Sequence, residues 1–343
     1  MLNHRHDNFW LAPILHTHAD ITAINAHETY KEHETKRYMT PILLTHPDCL
    51  VHEMPRHPER PDRLRSVLAT LRERGLTSEM NQGLASEISL DLIEQVHPRR
   101  YIDDVLSSEP LEGVAKFEAD TYMNPGSSRA ARLSAGAVAE ATSRVLAGES
   151  NRAFCAIRPP GHHAEIAAAF GFCLFNNVAI GASVALQDPS VNRVAILDFD
   201  VHHCNGTVDI FKDDPRVMVC SSFQENFYPH RFLDYENQHI INTPLAAGTS
   251  GGQYRSLIES TWLRPIEAHK PDLIFISAGF DAHRDDPLAE IQLIEDDYRW
   301  ITEMIVSLAE THSKGRIVST LEGGYDLQAL GDSAAAHVAA LVN

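Results

Sequence analysis

The chain has 343 residues, 43% apolar and 22% charged, which excludes a disordered polymer, a collagen-like repeat and a small disulfide scaffold. Its 29 basic and 47 acidic residues give a net charge of −18, a surface that repels nucleic acid and anionic membranes, so neither is expected as a direct partner. Five cysteines without a CxxC spacing argue against a disulfide framework and for a reducing compartment. No apolar run approaches the ~20 residues of a spanning helix, so a cytoplasmic protein is expected.

Residues 1–38 carry His4, His6, His16, His18, His27 and His33 among scattered charges. They read as a poorly ordered extension or as a metal-binding tail. The remainder, 39–343, reads as one domain. A first strand-like run lies at 41–45. The spacing then predicts a helix over 61–74, with Leu64, Val67, Leu68 and Leu71 on one face and Gly75 as its stop. An Ala-rich helix follows over 128–147, and a third over 176–187. Between and after them lie β-rich runs at 154–157, 194–197, 217–220, 273–276 and 317–321. Near-continuous apolar strands alternating with helices predict a parallel sheet covered on both faces.

Four of these runs end in polar clusters. The first leads into Arg158-Pro159-Pro160-Gly161-His162-His163 and the second into Asp198-Phe199-Asp200-Val201-His202-His203. The run at 273–276 leads into Ser277-Ala278-Gly279-Phe280-Asp281-Ala282-His283, and that at 317–321 into Glu322-Gly323-Gly324-Tyr325-Asp326. Ligands of open parallel sheets bind beyond the carboxyl ends of the strands, so the four clusters are expected to share one crevice.

Asp198, Asp200 and His202 alternate, and residues two apart in extended chain project to one side. Asp200 and His202 can therefore reach one cation, with Asp198 behind them and Asp281 as a third donor from another strand end. Two carboxylates and an imidazole suit divalent zinc with an open position. A solvated strand end beside a core histidine explains one such motif, but explains four poorly. One histidine of the His162-His163 pair can serve as general base toward metal-bound water, with Asp198 and Asn205 as candidate partners that set the tautomers. A solvated loop is the plainer reading of that pair. Tyr325 can donate to a developing oxyanion opposite the metal, although Gly-Gly-Tyr alone reads better as an ordinary turn.

These clusters join further motifs: His57-Pro58-Glu59-Arg60-Pro61, Arg158 to Ala164, and Gly171-Phe172-Cys173-Leu174-Phe175-Asn176-Asn177. Together with 198–207, 277–287 and 321–326 they resemble, in order, the histone deacetylase and acetylpolyamine amidohydrolase family, nearest its class II-like bacterial members. The resemblance covers roughly residues 41–330. It implies an arginase-like, three-layer α/β fold with a central, mainly parallel sheet of eight strands. It implies one zinc per chain on Asp200, His202 and Asp281, and attack of zinc-activated water on an acetamide. His163 then corresponds to the general base and acid, His162 to its partner beside Asp198, and Tyr325 to the residue that polarises the carbonyl. Phe172 and Tyr228 correspond to the aromatic pair lining the substrate tunnel, and Arg60 to an arginine near the acetate exit. A potassium ion is implied beside Asp198, Asp200 and Ser221, with the backbone carbonyl of His202.

The sequence departs from that pattern at three places. Cys204 stands where glycine is usual, as a space filler or a redox-sensitive thiol. Tyr228 stands where Phe is more common and adds a polar rim. Asn205 stands where class I relatives have Asp. Leu288 occupies the position at which polyamine-specialised relatives can carry a glutamate, with Glu290 two residues on. The expected substrate is therefore an acylated lysine peptide or protein, with an acetylpolyamine as the alternative. An oligomer is compatible with the sequence. Two other classes remain: a binuclear manganese ureohydrolase, for which Cys204 replaces a bridging carboxylate, and a non-catalytic acyl-lysine binding protein.

Overall fold

The apolar runs become the centre of one parallel sheet. In the computed structural model, which describes residues 39–118 and 120–343, its strands are β1 (Ile42–Thr45), β2 (Asn81–Leu84), β5 (Arg152–Cys155), β6 (Val194–Asp198), β7 (Val217–Gln224), β8 (Ile240–Leu245), β9 (Leu273–Ala278) and β10 (Ile317–Leu321). The extension expected at 1–38 lies outside the described residues. A separate antiparallel pair, β3 (Ala115–Lys116) and β4 (Tyr122–Met123), sits between β2 and β5 in the chain. The strand order is β2-β1-β5-β10-β9-β6-β7-β8, with every pairing parallel.

Every residue of β5, β6, β7, β9 and β10 is buried, as expected for strands covered on both faces. The helices are α1 (Pro61–Glu73), α2 (Leu90–Ile93), α3 (Arg99–Ser107), α4 (Ser127–Leu146), α5 (Asn177–Ala185), α6 (Asn205–Phe211), α7 (Gly251–His269), α8 (Glu295–His312) and α9 (Leu327–Val342). One helical layer is built around α9, packed against α1 and α8; the other is built around α4 and α5. Residues Thr40–Asn343 form one compact unit. No helix among the described residues is long and apolar enough to cross a membrane.

The expected elements are present, with shifted ends and several additions. Strand β7 runs four residues past the expected 217–220 because β8, absent from the sequence reading, pairs with it from Val219 to Gln224. The consequential feature is strand order. Strands β5, β10, β9 and β6 are consecutive neighbours, so the four polar clusters leave the sheet side by side.

Candidate active site

Backbone donors coil the segment after β6. Asp200 N donates to Asp198 Oδ1 at 3.0 Å, and His202 N donates to Asp200 Oδ1 at 2.9 Å. Val201 N donates to Asp281 Oδ1 at 2.8 Å, which ties this loop to the one leaving β9. Gly323 N, from the loop after β10, donates to Asp200 Oδ2 at 2.8 Å. The outcome is a cluster in which His202 Nδ1 lies 3.0 Å from Asp200 Oδ1 and 3.1 Å from Asp281 Oδ2. One ligand atom from each of Asp200, His202 and Asp281 falls within 4.8 Å of the other two.

Two glycines leave room for this cluster. A Cβ at Gly279 would sit 2.0 Å from Asp200 Oδ2, and one at Gly323 would sit 2.1 Å from Asp281 Oδ2. Both carboxylates are fully buried, and their only ion-pair partners among the described residues are His162 and His202. Burial alone would depress the His202 pKa, but Asp200 and Asp281 outweigh it and raise it to about 10. A proton on His202 thus supplies the positive charge the pair demands. Burial and the charge of Asp200 push the Asp281 carboxyl up. Two oxygens and one imidazole nitrogen, buried and walled by glycine, fit a divalent zinc.

The two histidines after β5 are held differently. His162 Nδ1 lies 2.9 Å from Asp198 Oδ2; burial opposes its charge, yet Asp198 and Asp200 raise its pKa to about 10. His163 Nδ1 lies 2.6 Å from Asn205 Oδ1. Burial, together with the neighbouring His162 and His202, pushes His163 well below the usual imidazole range. Its ring lies 4.0 Å from that of His162 and meets Tyr228 edge-on at 5.2 Å. Asp198 and Ser221, the residues expected beside a potassium ion, are buried register partners on β6 and β7.

Tyr325 is anchored by its backbone. Its N–H donates to Asp286 Oδ2 at 2.6 Å, and the other oxygen of Asp286 accepts from Leu288 N at 3.0 Å. Burial keeps the phenol proton on, raising its pKa well above the usual value. A cavity of about 110 Å³ brings together His163, Phe172, His202, Tyr228, Leu288 and Tyr325, with Asp120 on its wall. Phe172 and Tyr325 meet edge-on at 6.1 Å. Burial and the nearby Asp120 carboxylate push the Tyr228 phenol pKa well up. A larger cavity, about 440 Å³, lies beside the amino end of β7 among Gln95, Gln187 and Arg216, away from all four clusters.

Arg60 is not brought to this site. It is the N-cap of α1, about half exposed and 3.9 Å from Asp62. Arg63, three residues on, is fully buried instead. Its Nε donates to Gly324 O at 2.5 Å, Nη2 donates to Glu322 O, and its guanidinium carbon lies 4.8 Å from the centre of the Tyr325 ring. The sequence reading also passed over Asp120 and Asp286. An arginine inside the apolar stripe of α1 was the signal available for Arg63; Asp120 lies in a segment without periodicity. Cys204 is fully buried, and burial raises its thiol pKa far above the ordinary range, which favours packing over redox chemistry.

A profile of the histone deacetylase domain matches residues 57–341, a span that contains all four strand-end clusters. The chain belongs to the histone deacetylase family. Within this family, histone deacetylase 15 of Arabidopsis thaliana is 36% identical over 311 residues, covering 88% of this chain and 55% of that protein. The chain thus spans about half the length of the plant relative. The histone deacetylase-like amidohydrolase of Pseudomonas aeruginosa is 36% identical over 276 residues, covering 78% of this chain and 72% of its own. The crystal structure of the HDA15 HD domain superposes with a TM-score of 0.84 at 34% identity, covering 89% of this chain and 88% of that one. The histone deacetylase family therefore also accounts for the eight-stranded parallel sheet and its helical layers.

Proposed function

We infer that this site hydrolyses the acyl amide of acylated lysine side chains. What supports the reading is the meeting of His163, His202 and Tyr325 in one narrow cavity flanked by Phe172 and Tyr228. Asp200, His202 and Asp281 would hold zinc, which supplies Lewis acidity toward water and the amide carbonyl. Phe172 and Tyr228 bracket an aliphatic stem. His163 spends its Nδ1 proton on Asn205 and keeps Nε2 as the free ring nitrogen. It takes a proton from the attacking water as the oxygen bonds to the carbonyl carbon. It then returns that proton to the departing amine as the C–N bond breaks. Tyr325, kept protonated by burial, donates to the oxyanion. Asp198 holds a positive charge on His162, and burial together with that charge keeps His163 neutral between turnovers. A potassium ion beside Asp198, Asp200 and Ser221 belongs to the same reading.

An acetylpolyamine substrate is the second reading. Asp120 lines the cavity and pairs with no cation among the described residues, and the chain carries a net charge of −18. A side-by-side assay of acetyl-lysine peptides, longer acyl-lysines and acetylpolyamines on zinc-loaded protein tests both. Faster turnover of lysine substrates is expected because the cavity carries Leu288 at the position where polyamine-specialised relatives can carry a glutamate. Faster turnover of acetylpolyamines would install the second reading. No acid release from any of them, with tight binding of acyl-lysine, would leave a binding protein. Metal content separates the ureohydrolase class: one zinc per chain against two manganese.

A further inference from the structure

Asn205 sets a problem of orientation. Its Oδ1 accepts from His163 Nδ1 at 2.6 Å. A carboxamide has nearly the same shape when its oxygen and nitrogen are exchanged by a half-turn. In the exchanged orientation an NH2 group would face His163. Nδ1 would then have to accept, and the ring proton would move to Nε2, the atom needed to receive a proton from water.

Glu165 removes that choice. Asn205 Nδ2 donates to Glu165 Oε1 at 2.8 Å and to the main-chain oxygen of His163 at 3.3 Å. A carboxylate accepts hydrogen bonds and cannot donate them, so only the amide nitrogen can face it. Glu165 is buried and held in turn by Arg231, whose Nε and Nη2 donate to Oε1 at 2.5 Å and Oε2 at 2.8 Å. The Arg231 guanidinium rests over the rings of Phe170 and Phe232, at 5.3 and 5.6 Å, which fixes the direction of the clamp. Glu165 does not line the catalytic cavity.

We propose that Glu165 is a positioning residue that, by orienting the Asn205 amide, fixes the ring proton of His163 on Nδ1 and keeps Nε2 free as the base. The inference rests on the hydrolase reading for its effect on rate, but not for its effect on the imidazole.

Glu165→Ala removes the nearer of the two acceptors that face Asn205 Nδ2 and leaves only the His163 carbonyl at 3.3 Å. Both orientations of Asn205 then become populated, and kcat is expected to fall about tenfold, part of the 10²–10⁴ that a general base supplies. KM and zinc content should stay unchanged. Adding Asn205→Asp should restore most of kcat, because a carboxylate accepts through either oxygen and needs no orienting partner. A merely structural Glu165 would leave the double variant at least as weak as Glu165→Ala. The near-isosteric Glu165→Gln guards against a folding failure. Arg231 would claim the single amide oxygen there, the new NH2 would face Asn205, and the half-turn would be forced.

Ring 15N NMR of the metal-free full chain reads the tautomer directly, with the His163 signal assigned by its loss in His163→Gln. The Nδ1–H tautomer is expected in the wild type and in the double variant, and a shift to Nε2–H in Glu165→Gln. An unchanged Nδ1–H tautomer in both Glu165→Ala and Glu165→Gln overturns the proposal. If the wild type hydrolyses none of the acyl-lysine or acetylpolyamine substrates, the hydrolase reading falls and the NMR result alone decides the role of Glu165.

Discussion

His202 and His337 are both buried imidazoles packed near the central strands, and their surroundings differ in kind. His337 sits between hydroxyls, with Nδ1 at 2.7 Å from Thr302 Oγ1 and Nε2 at 2.8 Å from Ser319 Oγ. Thr302 Oγ1 donates to Tyr298 O at 2.7 Å, so it accepts from His337 Nδ1–H, and the Ser319 hydroxyl donates to Nε2. Phe154, Phe199 and Phe280 surround the ring, and burial pushes its pKa to about 3. Each donor there meets an acceptor with no net charge. Around His202 two carboxylates raise the same kind of group to about 10. A surplus of buried acceptors over donors therefore marks the site that calls for a cation, and a buried histidine by itself does not.

The strongest way to break this contrast is to remove the surplus. Asp281→Ala should take bound zinc from one per chain to near none and reduce hydrolysis to background, while His337→Gln should leave both in place. Metal analysis after gel filtration, with the acid-release assay, checks the pair. Tight stoichiometric zinc in Asp281→Ala would remove that carboxylate from the ligand set.

The carboxyl-end clusters were legible because an apolar run that stops at a charge carries a strand and its end in the same few residues, as Val194-Ala195-Ile196-Leu197 does before Asp198. Convergence of the four clusters was expected because each follows the carboxyl end of a parallel strand, but the adjacency of β5, β10, β9 and β6 is a matter of strand order, which periodicity does not carry. Helix α7 was missed although Tyr254, Ile258, Trp262 and Ile266 repeat every four residues; polar intervening residues and Pro265 obscured the stripe. Strand β8 was missed because Asn242, Thr243 and Pro244 break its apolar alternation. Glu165, Asp286 and Arg63 act on partners about 40 or more residues away, so spacing along the chain could not reveal them. The motif His57-Pro58-Glu59-Arg60-Pro61 contains Arg60 and stops two residues short of Arg63. Only the backbone shows that Arg60 stays outside the helix, with φ −142° and ψ 158°, while Arg63 turns inward with Leu64 and Val67.

Acid sharpens the contrast at an intermediate level. The pKa of His337 is about 3 in the folded protein against 6.5 as its ordinary value. Between those limits the unfolded chain binds more protons, so stability rises with pH. The contribution is complete above 6.5 and is lost as pH falls toward 3, amounting to roughly 4–5 kcal/mol in full. His52, His97 and His203, each pushed to about 4 by burial, act in the same direction. Denaturant unfolding of His337→Gln at pH 4.5 and pH 7 should show a smaller loss on acidification than the wild type, by up to one proton's worth of slope. An equal loss would mean that His337 is already charged in the fold.

The smallest expected effect marks where the charged region ends. Arg60 is half exposed and its contact with Asp62 spans 3.9 Å, so Arg60→Ala should change stability by no more than about 0.5 kcal/mol and leave turnover intact. Arg63 donates to two carbonyls of the Tyr325 loop and to Glu59, with its planar face near the phenol ring. Arg63→Lys keeps the charge but cannot form that fork, so kcat should fall while zinc stays bound. Equal kinetics in the two variants would mean that the loop holds Tyr325 through Asp286 alone, since that carboxylate still accepts from the Tyr325 N–H at 2.6 Å.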